Sequence, residues 1–110
     1  MNIKFSDQSV RCRVTRDELD VLLLGRAVVL DVPLPRDHKF RLNVRPAATG
    51  LWQLDSDPTG LWLTIPRDDI ASLSETLPSK QGITHEFPLS NRSSVAVTFE
   101  VDVRQKRIAP

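Results

Sequence analysis

Apolar and polar residues alternate along much of the chain with a period of two, which predicts strands with one buried face. Ile3 and Phe5 flank Lys4, and residues 6–9 supply a polar turn. Val10, Cys12 and Val14 then alternate with Arg11 and Arg13. At Thr15 the spacing becomes helical. Thr15 and Glu18 have the spacing of a capping box, with Val14 and Leu19 at the hydrophobic-staple positions. Asp17 and Glu18 suit the positive end of a helix dipole. Leu19, Leu22 and Leu23 form the inward stripe, and Gly25 is placed to end the helix. Residues 27–32 read as the next strand, stopped by Pro33 and Pro35. Residues 36–39 read as a charged loop, and Phe40, Leu42 and Val44 as the apolar face of a fourth strand.

The second half follows the same order. Trp52 and Leu54 stand for Ile3 and Phe5 with an inward shift of about two residues, and residues 55–60 form the turn. Leu61, Leu63 and Ile65 fall where Val10, Cys12 and Val14 fell. Pro66 suits the first position of a helix, which turns Ile70, Leu73 and Leu77 inward but lacks the capping box. Residues 78–82 break the chain. Ile83, His85 and Phe87 form a short strand stopped by Pro88. Val95, Val97, Phe99, Val101 and Val103 then alternate with Ala96, Thr98, Glu100, Asp102 and Arg104, the most regular strand pattern in the chain. Residues 105–110 form a polar tail.

This order contains a repeat. Arg16-Asp17-Glu18-Leu19 returns as Arg67-Asp68-Asp69-Ile70, 51 positions later, each time after an apolar strand. A period near half the chain implies two related halves, 1–49 and 50–104, of one domain 1–110. The expectation is an α+β domain of about eight strands, mainly antiparallel, with two short helices and an internal ββαββ duplication. Either a small barrel or a single curled sheet satisfies the pattern.

Composition narrows the function classes. The net charge is +1 in 110 residues, so no overall field draws nucleic acid or anionic lipid. Arginine outnumbers lysine 11 to 4, which favours planar bidentate contacts. No apolar run is long enough for a membrane-spanning helix, and residues 1–5 have no signal-peptide core. The expected location is the cytoplasm. The single cysteine, Cys12, leaves no internal disulfide framework.

The run Ser9-Val10-Arg11-Cys12-Arg13-Val14-Thr15, followed by Glu18-Leu19, resembles the opening of a family of small bacterial proteins that form a domain of unknown function. That family opens on M-K-I-R, then S-I-R-x-R-L-T. Leu63-Thr64-Ile65-Pro66, Gly82-Ile83 and the valine-rich last strand are similar to the same family. The resemblance implies a fold and a bacterial source but no catalytic residues, and the family's further acidic segment is replaced here by residues 104–110.

Candidate chemistry is sparse. His38, His85 and Cys12 show no metal-ligand spacing, so neither metal nor cofactor is expected. Cys12 reads as a small buried hydrophobe and His85 as a partly buried, hydrogen-bonded residue. No glycine-rich phosphate loop is present. Arg11 and Arg13 project from the polar face of one strand, Arg41 and Arg45 from that of another. As one continuous face they would grip a phosphorylated small molecule or nucleotide; paired with Glu100 and Asp102 they would form an internal ladder, the reading favoured here. With two Trp, four Phe and no Tyr, the stacking platforms of a nucleic-acid binder are few. Trp62, with Thr64 beside it, occupies a polar-face position. An outward Trp is either covered by its own chain or presented to a partner. The expected function is therefore a non-catalytic interaction module, self-associating or binding a protein partner, through an exposed last strand or the Trp62 face. The alternative is phosphate-ligand binding by the arginines.

Overall fold

The computed structural model describes residues 1–48, 50–77 and 82–102. In chain order the elements are β1 (Asn2–Ser6), β2 (Ser9–Val14), α1 (Arg16–Leu23), β3 (Val28–Leu34), β4 (His38–Ala47), β5 (Gln53–Asp57), β6 (Gly60–Pro66), α2 (Arg67–Glu75), β7 (Ile83–Pro88) and β8 (Ser94–Val101). The domain is α+β, as the pattern predicts. Val103, Arg104 and the expected tail 105–110 lie outside the described residues, as do 78–81.

The strands form two four-stranded sheets, ordered β1-β2-β8-β7 and β3-β4-β6-β5. This corrects the expectation of one curled sheet or barrel, since both sheets are open. It also corrects the mainly antiparallel pairing. In each sheet two antiparallel hairpins are joined by a central parallel pair, β2 with β8 and β4 with β6. Period-two alternation says which residues face inward but not which strand lies alongside, so the sequence is silent on this point. The regular last strand is no edge: β8 is enclosed by β2 and β7.

Each sheet takes one hairpin from each half of the chain, and the registers match. Ile3 pairs with Cys12 as Leu54 pairs with Leu63, 51 positions on. Val28 pairs with Val44 as Ile83 pairs with Phe99, 55 positions on. The first offset holds through β1, β2 and the start of the helix, so Leu54 stands for Ile3 with no inward shift. Trp52 precedes β5 and is not part of it.

The inward faces of the two sheets meet. Cys12, Val14, Val97, Phe99 and Val101 from one, and Val28, Val44, Leu63 and Ile65 from the other, form one buried cluster with Leu19, Leu22, Ile70 and Leu73 of the helices. Each helix follows directly on a central strand, so the helices plug the end of the sandwich where β2 and β6 finish. At the other end Ile3, Val10 and Cys12 face Leu42, Leu54 and Leu61 across a crevice of about 10 Å³. That is room for at most one water, and an apolar void of this size stays dry.

Local sequence explains most element ends. The capping box is formed: the Glu18 amide donates to Thr15 Oγ1 at 3.0 Å and the Thr15 amide to Glu18 Oε1 at 2.9 Å. Gly25 adopts φ +88°, the left-handed conformation that ends helices. Pro66 is the N-cap of α2, not its first helical residue, and contributes no side-chain cap. Instead Arg67 links the helices, donating at 2.9 Å to the Leu23 carbonyl, one of the acceptors a helix C-terminus leaves open. Two strand limits differ from expectation. Pro33 lies within β3, which a sheet edge tolerates, and His38 and Lys39 already belong to β4. The hairpin between them turns through Arg36 and Asp37, both at positive φ without any glycine.

Candidate functional site

With the helices at one end, the outward face of each sheet carries its own polar residues. On the first sheet the pairing sets Asn2, Arg13 and Glu100 in one row across β1, β2 and β8, and Lys4, Arg11 and Thr98 in the next. On the second, Gln53, Thr64 and Arg45 form the row equivalent to Asn2, Arg13 and Glu100. Asp55, Trp62 and Asn43 form the row equivalent to Lys4, Arg11 and Thr98. The two faces share a framework and differ in chemistry.

The four sequence-picked arginines are therefore two pairs on different sheets, and no continuous arginine face exists. Arg41 is paired bidentately: its Nε and one terminal nitrogen donate to the Asp31 carboxylate at 2.7 and 3.0 Å. That bond holds the Asp31 carboxyl below its ordinary range and raises the Arg41 guanidinium. Arg45 Nε donates to Thr64 Oγ1 at 3.1 Å. Arg11 and Arg13 both face Glu100, with N–O distances of 3.3 and 3.6 Å. This is the cross-strand ladder, with Glu100 as its acid; Asp102, just past β8, donates its amide to the Val14 carbonyl at 2.8 Å and has a further interaction of its own. Glu100 is only 8% exposed, yet its Oε1 accepts no aligned hydrogen bond among the described residues. The contact is an ion pair by proximity, without an aligned hydrogen bond to Oε1.

A shallow hollow of about 70 Å³ opens over β1 and β2, lined by Asn2, Lys4, Arg11 and Arg13. Lys4 and Arg11 are directly opposed, and like charges in that relation repel. Lys4 and Asn2 escape sequence reasoning because their neighbours become known only with the strand order.

Trp62 is outward and half-buried on the second sheet, where Gly60 makes room for it: a Cβ on Gly60 would meet the indole at 3.2 Å. In the same row stand exposed Val29 and Asn43, whose Oδ1 is buried without a partner among the described residues. Thr64, grouped with Trp62 from the sequence, is 7% exposed and its hydroxyl is held by Arg45, so it offers a partner almost no surface.

Cys12 is 1% exposed and contacts the Met1 sulfur at 3.6 Å. Burial pushes its thiol up to about 12, which leaves it inert as a nucleophile. His85 is engaged in an aromatic cluster. It stacks on Trp52 with centroids 5.3 Å apart and meets Phe87 edge-on at 4.7 Å. Trp52 Nε1 donates to Asp69 Oδ2 at 2.7 Å, tying the segment before β5 to the first turn of α2. Among the described residues no group of three His, Cys, Asp or Glu side chains could hold a metal, and no helix is long and apolar enough to cross a membrane.

The sequence matches no family model and no curated protein.

Proposed function

We propose that this chain is a non-catalytic cytoplasmic interaction module that self-associates through the outward face of β3-β4-β6-β5, with Trp62 at its centre. The observation that carries this reading is a half-buried tryptophan on an open sheet face. Beside it is an exposed valine, Val29. A second copy would cover the indole and the exposed Val29 side chain. The same face holds Arg45 on one side of Trp62 and Asp55 on the other, both signs within one patch, as an isologous contact requires. Four strands at ~4.8 Å spacing make a face roughly 20 Å across. That footprint is smaller than the ~800 Å² per partner of a stable interface, so the association is transient.

The two halves descend, on this reading, from one duplicated ββαββ unit, supported by their equal registers. The likeness of the opening to the bacterial domain of unknown function belongs to the same proposal. In the equivalent positions Trp62 has replaced an arginine and Asp55 a lysine, so the self-associating face is a departure from the shared framework.

Light scattering and sedimentation equilibrium across the micromolar to millimolar range test the reading. Reversible dimerisation is expected for the native chain, and a monomer throughout for Trp62→Arg. A strict monomer at millimolar native protein, or an unchanged dimer in Trp62→Arg, overturns it.

A further inference from the structure

The hollow over β1 and β2 has what an anion site needs. Three cations, Lys4, Arg11 and Arg13, surround about 70 Å³ of open space, and Asn2 adds an amide. Their common counter-charge is Glu100, one strand behind the hollow on β8, which leaves an excess of two positive charges at its mouth. Of the other acids of this face, Glu86 lies on the far strand and accepts from Ser94 at 3.0 Å, and Asp102, just past β8, has an interaction of its own. Among the described residues Glu100 gives these arginines no aligned hydrogen bond: the Arg11 contact at 3.3 Å lacks alignment and Arg13 stands at 3.6 Å. Arg41, on the other sheet, shows the alternative, with its fork closed on Asp31 at 2.7 and 3.0 Å. Lys4 opposite Arg11 is unfavourable unless an anion lies between them.

We propose that Asn2, Lys4, Arg11 and Arg13 form a binding site for a doubly charged phosphate group, inorganic phosphate or the terminal group of a phosphate monoester. Arginine forks match a tetrahedral oxyanion, and lysine supplies a point charge. Glu100 is a positioning residue that holds both guanidinium groups over β2. The hollow is far below the ~300–1,000 Å³ of a pocket that encloses a whole small molecule. Only the charged group enters, and the rest of the ligand stays in solvent. The site lies on the sheet opposite Trp62 and is independent of self-association.

The test is an NMR titration of the full chain with inorganic phosphate at constant ionic strength, chloride making up the balance. The arginine Nε–H resonances of Arg11 and Arg13 are expected to shift and saturate, with Arg41 unmoved. Lys4→Gln and Arg11→Gln should each weaken phosphate about tenfold or more, as befits one charge-assisted contact. Lys4 sits exposed on an edge strand, so its variant keeps the fold and the result stays readable. Phenyl phosphate binding with the affinity of inorganic phosphate assigns the site to monoesters as well; phenyl phosphate failing while inorganic phosphate binds assigns it to the free ion. Acetate binding as tightly as phosphate, shifts without saturation, or unchanged affinity in Lys4→Gln overturns the proposal.

Discussion

Trp52 holds the segment between the halves to both α2 and β7, and the cost of removing it follows from its contacts. Trp52→Phe keeps a ring on His85 but loses the indole N–H that reaches Asp69 at 2.7 Å. A hydrogen bond to a charged group contributes ~1.5–3 kcal/mol, discounted here to about 1 because Asp69 is partly exposed and water can replace the donor. With a small loss of area, Trp52→Phe should cost ~1.5 kcal/mol. Trp52→Ala adds the stack, ~1 kcal/mol. It also adds about half the burial of a tryptophan, ~100 Å² at ~25 cal/mol/Å², or ~2.5 kcal/mol. The total is about 5 kcal/mol. Urea unfolding followed by far-ultraviolet circular dichroism reads both values. The cycle of Trp52→Phe with Asp69→Ala should give a coupling near 1 kcal/mol. Equal losses in Trp52→Phe and Trp52→Ala, or no coupling to Asp69, would refute this account of the cluster.

Two further outcomes follow from burial and close approach. Cys12 is neutral in the fold up to about pH 12, against 9.0 in the free side chain. Its contribution is therefore whole below pH 9 and is lost as the pH rises from there through 12, where the unfolded chain has already released the proton. Native protein should leave thiol reagent unreacted at pH 8, and Cys12→Ala, though less stable at neutrality, should lack that part of the alkaline limb; an identical limb in the variant refutes it. A Cβ on Gly82 would stand 2.2 Å from the Phe99 carbonyl oxygen, whereas one on Gly25 meets nothing within 4 Å and bears only the strain of φ +88°. Gly82→Ala should cost ~2–3 kcal/mol and Gly25→Ala about 1 in denaturant titrations, and the reverse order would contradict the packing described.

The parts of the structure that depend on near neighbours were legible in the sequence. Thr15 and Glu18 identify a helix start, and period two sorts Arg11 and Arg13 from Val10, Cys12 and Val14. Parallel pairing was not legible, because a strand such as β8 alternates in the same way at an edge or in the middle. The site suffered from the same blindness. Arg11 and Arg41 look alike along the chain, yet one lines a hollow and the other is closed on Asp31. Lys4 and Asn2 matter only once β1 lies beside β2. The Trp52–His85 stack joins residues 33 positions apart with no local signal, and Thr64 looked free because the reach of Arg45 from the next strand is invisible in sequence.

The interleaving of the two halves sets an order in time. Every strand of β3-β4-β6-β5 lies between Val28 and Pro66, so that sheet can assemble once this stretch has left the ribosome. The β1–β2 hairpin is made first but finds its central neighbour only in β8, with Val10 and Val97 separated by 87 positions against 19 for Leu42 and Leu61. Loop closure alone makes the longer pairing about 1.4 kcal/mol costlier. At ~5–20 residues per second β2 waits roughly 4–17 s for β8, with Ile3, Val10 and Cys12 uncovered on one side. That interval, more than the finished domain, is where this protein is exposed to misassembly and to chaperones.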